Sequence, residues 1–208
     1  MTEEEARNWI DAHFDVPRET WSQLETYIAL LYAGMAEQNL ISESTRDQVW
    51  ARHIVDSAQL LKHAPSSGSW IDLGSGAGLP GLIIGILSHG SVALVEMRKR
   101  RVAFLNDVVA QLGLRNVTVF GGKTEAFQSD PAAVISARAY APLDRLLQSA
   151  QHLADKNTVW VLPKGRSGQN EVAAIGKQWH GAFHVEQSVT DPDSVIIVAQ
   201  GVSRKGRR

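Results

Sequence analysis

Apolar residues recur at three- and four-residue steps early in the chain and in short unbroken runs later. Trp21, Leu24, Ile28, Leu31 and Met35 form one helical stripe. Val49, Trp50, His53, Ile54, Ser57, Leu60 and Leu61 continue the same period in a later helix. Ala64-Pro65-Ser66-Ser67-Gly68-Ser69 then breaks the pattern. The spacing predicts an N-terminal helical extension over 1–65, a second unit over 66–202 and a basic tail over 203–208.

After the break, strand-like runs at 69–73, 92–96, 117–120, 133–136 and 158–162 alternate with helical stretches at 79–89, 99–112, 143–153 and 169–179. That alternation predicts an α/β architecture, a doubly wound parallel sheet. Continuous apolar strands fit a sheet covered on both faces. The runs 184–189 and 194–200 are separated only by Thr190-Asp191-Pro192-Asp193, too short for a helical crossover. The last strand should therefore return antiparallel, in a hairpin.

Composition narrows the class. The 208 residues are 44% hydrophobic and 21% charged, which suits a globular chain with a self-sufficient core. The absence of cysteine removes disulfides, thiolate-held zinc, iron–sulfur clusters and thiol catalysis. No metal site is expected among the seven histidines. The acidic opening Met1-Thr2-Glu3-Glu4-Glu5 does not resemble a secretory signal, and Pro80, Gly81, Gly85, His89 and Gly90 interrupt the most apolar stretch. A soluble, cytoplasmic protein is expected, with no membrane association and no obligate protein partner. The net charge of −1 hides an asymmetry: residues 1–50 hold ten acids and three bases, and residues 51–208 hold eighteen bases and twelve acids. Basic runs at Arg98-Lys99-Arg100-Arg101 and at the terminus hint at a polyanionic partner.

The densest chemical signal is Asp72-Leu73-Gly74-Ser75-Gly76-Ala77-Gly78-Leu79-Pro80-Gly81, a strand running into a glycine turn and then a helix. In a doubly wound sheet this turn lies in the ligand crevice. Glu96 ends the next strand, where a carboxylate can take both ribose hydroxyls of an adenosine, and Glu125 follows the third. Gly76, Gly78 and Gly81 also spell a dinucleotide G-x-G-x-x-G, so an NAD-linked oxidoreductase is one reading. Asp72 favours S-adenosylmethionine instead, because a carboxylate suits a sulfonium and an ammonium and repels a pyrophosphate. Asp72 either faces that ligand or ties down the turn.

Further pieces are Asn39-Leu40-Ile41-Ser42, Arg52-His53-Ile54-Val55-Asp56-Ser57, Ser136-Ala137-Arg138-Ala139-Tyr140-Ala141 and Leu162-Pro163-Lys164-Gly165-Arg166. With the glycine turn, the chain resembles the bacterial 16S rRNA guanine-N7 methyltransferases, also called the glucose-inhibited division protein B family. The resemblance implies a class I S-adenosylmethionine-dependent methyltransferase: a Rossmann-like sheet of seven strands, the last antiparallel. It implies S-adenosylmethionine as donor and a guanine of 16S rRNA, free or in the small ribosomal subunit, as acceptor. Donor contacts implied by the residues are Asp72, Gly74, Gly76, Gly78, Leu79, Glu96, Thr124, Glu125 and Arg138. The family often has Ala at the position of Thr124.

Guanine N7 carries a lone pair and no proton, so its methylation needs no general base. Arg138, at the end of the fourth strand, is the candidate catalytic residue; its guanidinium can bind an acceptor atom or stack on the base. Lys164 can hold an RNA phosphate. Arg52, His53 and Asp56 share one helix and are candidate substrate contacts, although Arg52 and Asp56 at i, i+4 also suit a surface pair. Arg98 and Lys99 open a helix where cations oppose the dipole, which suggests use on RNA phosphates. A non-catalytic RNA-binding module on the same fold is the third reading.

Overall fold

The computed structural model describes residues 1–206. Helix α1 (Glu3–His13) starts at a capping box in which Thr2 and Glu5 exchange hydrogen bonds. Helix α2 (Arg18–Met35) follows and buries Leu24, Tyr27, Ile28 and Leu31, on the stripe the spacing predicts. The second predicted helix changes its winding along its length. It passes through a 3-10 segment (Glu43–Gln48), a π-helix (Trp50–Val55), a single turn α3 (Asp56–Ala58) and a second 3-10 segment (Gln59–His63).

The rest alternates as expected: β1 (Trp70–Leu73), α4 (Gly81–Leu87), β2 (Val92–Glu96), α5 (Lys99–Gln111), β3 (Val117–Gly121), β4 (Val134–Ser136), α6 (Leu143–Ala150), β5 (Val159–Lys164), α7 (Gly168–Ile175), β6 (Trp179–Gln187) and β7 (Val195–Arg204). The seven strands form one sheet in the order β3-β2-β1-β4-β5-β7-β6. Pairings among β1 to β5 are parallel, and β7 runs antiparallel to both β5 and β6.

Successive strand residues point to opposite faces and join two cores. Trp70, Leu94, Val134, Val161 and Ile196 pack with α4, α5 and the N-terminal helices. Ile71, Val95, Ile135, Leu162 and Ile197 pack with α6 and α7. The N-terminal helices thus share one core with a face of the sheet. Tyr27 of α2 reaches the glycine turn, donating its buried hydroxyl to the Ala77 carbonyl at 3.0 Å.

The C-terminal third departs from the periodic pattern. Trp179, expected to end a helix, starts β6, with its indole nitrogen donating to Asp144. Strand β7 continues past Gly201 to Arg204, so the expected tail begins inside the sheet. Lys205 is held as well, its ammonium donating to the Gly176 carbonyl at 2.7 Å. Arg207 and Arg208 lie outside the described residues. No helix among the described residues is long and apolar enough to cross a membrane.

The first residue of α4 packs closely against the sheet. A Cβ on Gly81 would sit 2.3 Å from Leu94 Cδ2 and 2.8 Å from Asp72 Cβ. Gly81→Ala should therefore cost about 1–3 kcal/mol of stability, seen as a melting temperature several degrees below wild type. An unchanged melting temperature would mean that the turn can shift freely.

Candidate active site

The glycine turn is shaped by left-handed backbone at Gly74, Gly76 and Gly78, with φ of 65°, 58° and 91°. Gly74 lies so close to Tyr140 that a Cβ would meet its ring at 2.6 Å. Two carboxylates hold this turn. Asp72 is 0% exposed. Its Oδ2 accepts from the Gly81 amide at 3.2 Å and its Oδ1 from the Ser136 hydroxyl at 2.8 Å; that hydroxyl accepts from the Trp70 indole. Burial pushes the Asp72 carboxyl up to about 6, against the pull of these hydrogen bonds. Asp72 lines neither of the two crevices described below, and its hydrogen bonds tie down the turn. Glu96 stands on the other side, 4% exposed. Its Oε2 accepts from the Gly76 amide at 2.9 Å and its Oε1 from the Arg98 amide at 2.8 Å.

Two crevices open at the carboxyl ends of the strands. The first, a cavity of about 390 Å³, is lined by Gly74, Glu96, Met97, Arg98, Arg101, Thr124, Glu125 and Tyr140. Of the residues implied as donor contacts, Gly74, Glu96, Thr124 and Glu125 come together here. Gly76 and Gly78 shape the turn behind it, and the Leu79 side chain is committed to the core. The Tyr140 hydroxyl donates to Thr124 Oγ1 at 3.0 Å, joining the β4 and β3 loops.

The second, about 280 Å³, is lined by Thr45, Arg52, His53, Asp56, Arg138 and Lys164, among others. Arg138 belongs to this crevice and not to the first. Its Nη1 lies 3.3 Å from His53 Nδ1 and 3.4 Å from Asp56 Oδ2. Since Nδ1 faces a donor, the neutral ring carries its proton on Nε2 and gives it to Thr45 Oγ1 at 2.8 Å. Thr45 in turn donates to the Ser42 carbonyl at 2.8 Å. Burial, then Arg138 and Arg52, push His53 down to about 3. Arg52 pairs with Asp191 of the β6–β7 turn at 2.6 Å, not with Asp56. Asp56 Oδ1 accepts from Thr190 of the same turn at 2.8 Å. The Lys164 ammonium donates to Glu171 at 2.8 Å and to the Ala141 carbonyl at 2.9 Å, which leaves one N–H for a ligand.

Ala139 lines both crevices and is the residue they share. Its φ of 52° is left-handed, a strained setting for a side chain other than glycine. That turn sends Arg138 into one crevice and Tyr140 into the other.

The basic run at the start of α5 is divided. Arg98 borders the first crevice, not the one holding Arg138, and Lys99 is exposed and lines neither. Arg100 donates to the Glu37 carbonyl at 2.8 Å and Arg101 to the Asn39 carbonyl at 3.2 Å, where cations suit the carbonyls beyond the end of α2. Sequence reasoning missed Thr45, Ala139, Tyr140 and Asp191, and read Arg101 only as part of the basic run. Tyr140 stood inside a quoted motif, but the left-handed backbone of Ala139 has no signature in residue type. Among the described residues no group of three or more His, Asp or Glu side chains is placed to hold a metal ion.

The His53 environment has a thermodynamic consequence. The unfolded chain takes up a proton near the ordinary value of 6.5, and the folded protein does not until about 3. Stability is therefore fully present above 6.5 and is lost as pH falls through this window. His53→Gln should flatten the decline of melting temperature between about pH 7 and 4. Equal slopes for variant and wild type would assign the decline to other groups.

A family model described as rRNA small subunit methyltransferase G matches residues 20–193. The ribosomal RNA small subunit methyltransferase G of Rhizorhabdus wittichii is 47% identical, over 100% of this chain and 99% of its own. That of Sphingopyxis alaskensis is 48% identical, over 96% of this chain and 86% of its own. Among solved structures, a SAM-dependent methyltransferase from Aquifex aeolicus superposes with a TM-score of 0.58 at 14% identity, over 74% of this chain and 92% of that one. The M. jannaschii TYW2 protein in complex with AdoMet gives 0.60 at 11% identity, over 82% and 80%. At such identities the structural likeness speaks for the fold alone. The full-length relatives carry the assignment further: this chain belongs to the rRNA small subunit methyltransferase G family and has the fold of S-adenosylmethionine-dependent methyltransferases.

Proposed function

We propose that the protein transfers a methyl group from S-adenosylmethionine to N7 of a guanine in 16S rRNA, in the bacterial cytoplasm. The observation that carries this reading is the pair of crevices meeting at Ala139, one lined by the glycine turn and carboxylates and the other by arginines and a lysine. A dinucleotide-linked oxidoreductase is set aside by the family assignment.

The residues of the first crevice fit the donor. Gly74 leaves backbone open where a Cβ would collide with Tyr140. Glu96 spends one lone pair of each oxygen on the Gly76 and Arg98 amides and keeps the others for ribose hydroxyls. Glu125, exposed at the mouth, suits the adenine edge. When bound, S-adenosylmethionine supplies an electrophilic methyl on a sulfonium.

The second crevice fits a base that needs orientation more than proton removal. N7 attacks with a lone pair, so no group must accept a proton first. His53 suits this, because it is neutral and both ring nitrogens are engaged. Asp56 is committed to Arg138, Thr190 and Gln59. Arg138, held between His53 and Asp56 with further N–H donors free, can fix guanine acceptor atoms or a flanking phosphate. Arg52 and Lys164 add positive charge for the RNA backbone. The protein's contribution is then alignment in a confined site.

The direct test is transfer of labelled methyl to small-subunit rRNA from cells lacking this protein, presented free and as the particle, followed by mapping of the modified base. Label at a single guanine N7 supports the reading. Donor binding without transfer to either substrate overturns it in favour of a binding module. Arg138→Ala should lower the rate of transfer about tenfold or more while leaving donor affinity unchanged. Glu96→Ala should weaken donor affinity about tenfold. The opposite split would exchange the two crevices' roles.

A further inference from the structure

Helix α1 lies before residue 20, where the family match begins, yet it holds the helix that carries the acceptor-side residues. Glu3 Oε2 accepts from the Trp50 amide at 3.0 Å, and its Oε1 accepts from the Ala51 amide at 3.0 Å. These amides open the π-helix Trp50–Val55. The preceding segment Glu43–Gln48 is wound as a tighter 3-10 helix. Amides at the head of a helix find no acceptor within it. Here the acceptor is a side chain 47 residues upstream.

Arg7 supports the same junction. Arg7, one turn along α1, places its guanidinium 4.4 Å from the Trp50 ring centroid and 5.4 Å from that of Trp21. Arg7 also pairs with Glu25 of α2. Ala6 and Ile10 bury the same face of α1. On the π-helix, Arg52 and His53 follow Ala51 directly, and Asp56 opens α3 just after it. The His53 and Asp56 side chains hold Arg138.

We infer that Glu3 is a positioning residue for methyl transfer. Its carboxylate takes two successive amides at once, which sets both the start and the rotation of the π-helix. That rotation decides where His53 and Asp56 meet Arg138. A carboxylate at a helix N-terminus is also favoured by the helix dipole. π-helical turns are rare and poorly self-supporting, so an external clamp has most effect on such a segment. The inference rests on the proposed reading of the second crevice.

The test compares full-length Glu3→Gln and Glu3→Ala with wild type and with two controls. Glu4→Ala alters an exposed neighbour on α1. Glu25→Ala breaks the Arg7 ion pair without touching the clamp. Measured for each are the melting temperature, donor affinity by calorimetry, exchange of the Trp50 and Ala51 amides, the imidazole resonances of His53, and kcat and KM for the small-subunit rRNA substrate. Both Glu3 variants should keep donor affinity within about twofold of wild type, lose protection at Trp50 and Ala51 and shift the His53 resonances. The value of kcat should fall about tenfold in Glu3→Ala and less in Glu3→Gln, which keeps one acceptor oxygen. Glu25→Ala removes a solvent-exposed pair on α1 and α2 and should leave the Trp50 and Ala51 protection, the His53 resonances and kcat at wild type. Glu3 variants with unmoved His53 resonances and wild-type kcat overturn the inference. If Glu3→Ala does not fold, Glu3→Gln decides by the same criteria. If the wild type transfers no methyl to rRNA, the functional reading fails by itself, and the His53 resonances alone decide the positioning claim.

Discussion

Much of the molecule depends on how the glycine turn is held. A chain that reverses through three left-handed glycines has no regular secondary structure to stabilise it there, and its amides need acceptors. Asp72 supplies one from behind, at the Gly81 amide, and Glu96 supplies another from the side, at the Gly76 amide. The Tyr27 hydroxyl completes the hold from helix α2 by donating to the Ala77 carbonyl. The turn is thus tied to two strands and to the N-terminal helices. Each tie is buried, where a lost partner is expensive. The floor of the first crevice is defined before any ligand arrives.

The second crevice is organised by a different principle. It is built from charged groups that neutralise one another across sequence distance: Arg138 with Asp56, Arg52 with Asp191 and Lys164 with Glu171. None of these cations stands alone, yet Arg138 and Lys164 keep N–H donors for a ligand. Such a pocket does not carry a large net charge, in line with a chain whose overall charge is −1. The left-handed Ala139 divides the two environments with a single residue.

The N-terminal helices belong to this logic. They cover one face of the sheet, share its core and close the head of the π-helix that faces the second crevice. The acidic excess of the first fifty residues is in part spent in this way, with Glu3 on the amides of Trp50 and Ala51 and Glu25 on Arg7. The basic run at 98–101 likewise serves the fold in part, because Arg100 and Arg101 satisfy carbonyls just past the end of α2.

Periodicity and residue type alone made part of this architecture legible along the chain. Alternating runs specified the parallel sheet and the terminal hairpin, because a four-residue link cannot cross a sheet. The glycine spacing located the turn, and strand-end positions brought Gly74, Glu96, Thr124 and Glu125 into one crevice. The boundary at Trp179 was not legible, because an apolar residue after a helix reads the same whether it closes that helix or opens a strand. The tertiary structure decided which charges meet. Asp72 could face a ligand or the turn until Ser136 and Gly81 were seen to claim it. Arg52 had a partner at helical spacing and took one 139 residues away instead. Pairings of that kind depend on loops arriving from distant strands, and the left-handed Ala139 depends on the packing around it. No local pattern of residues carries either.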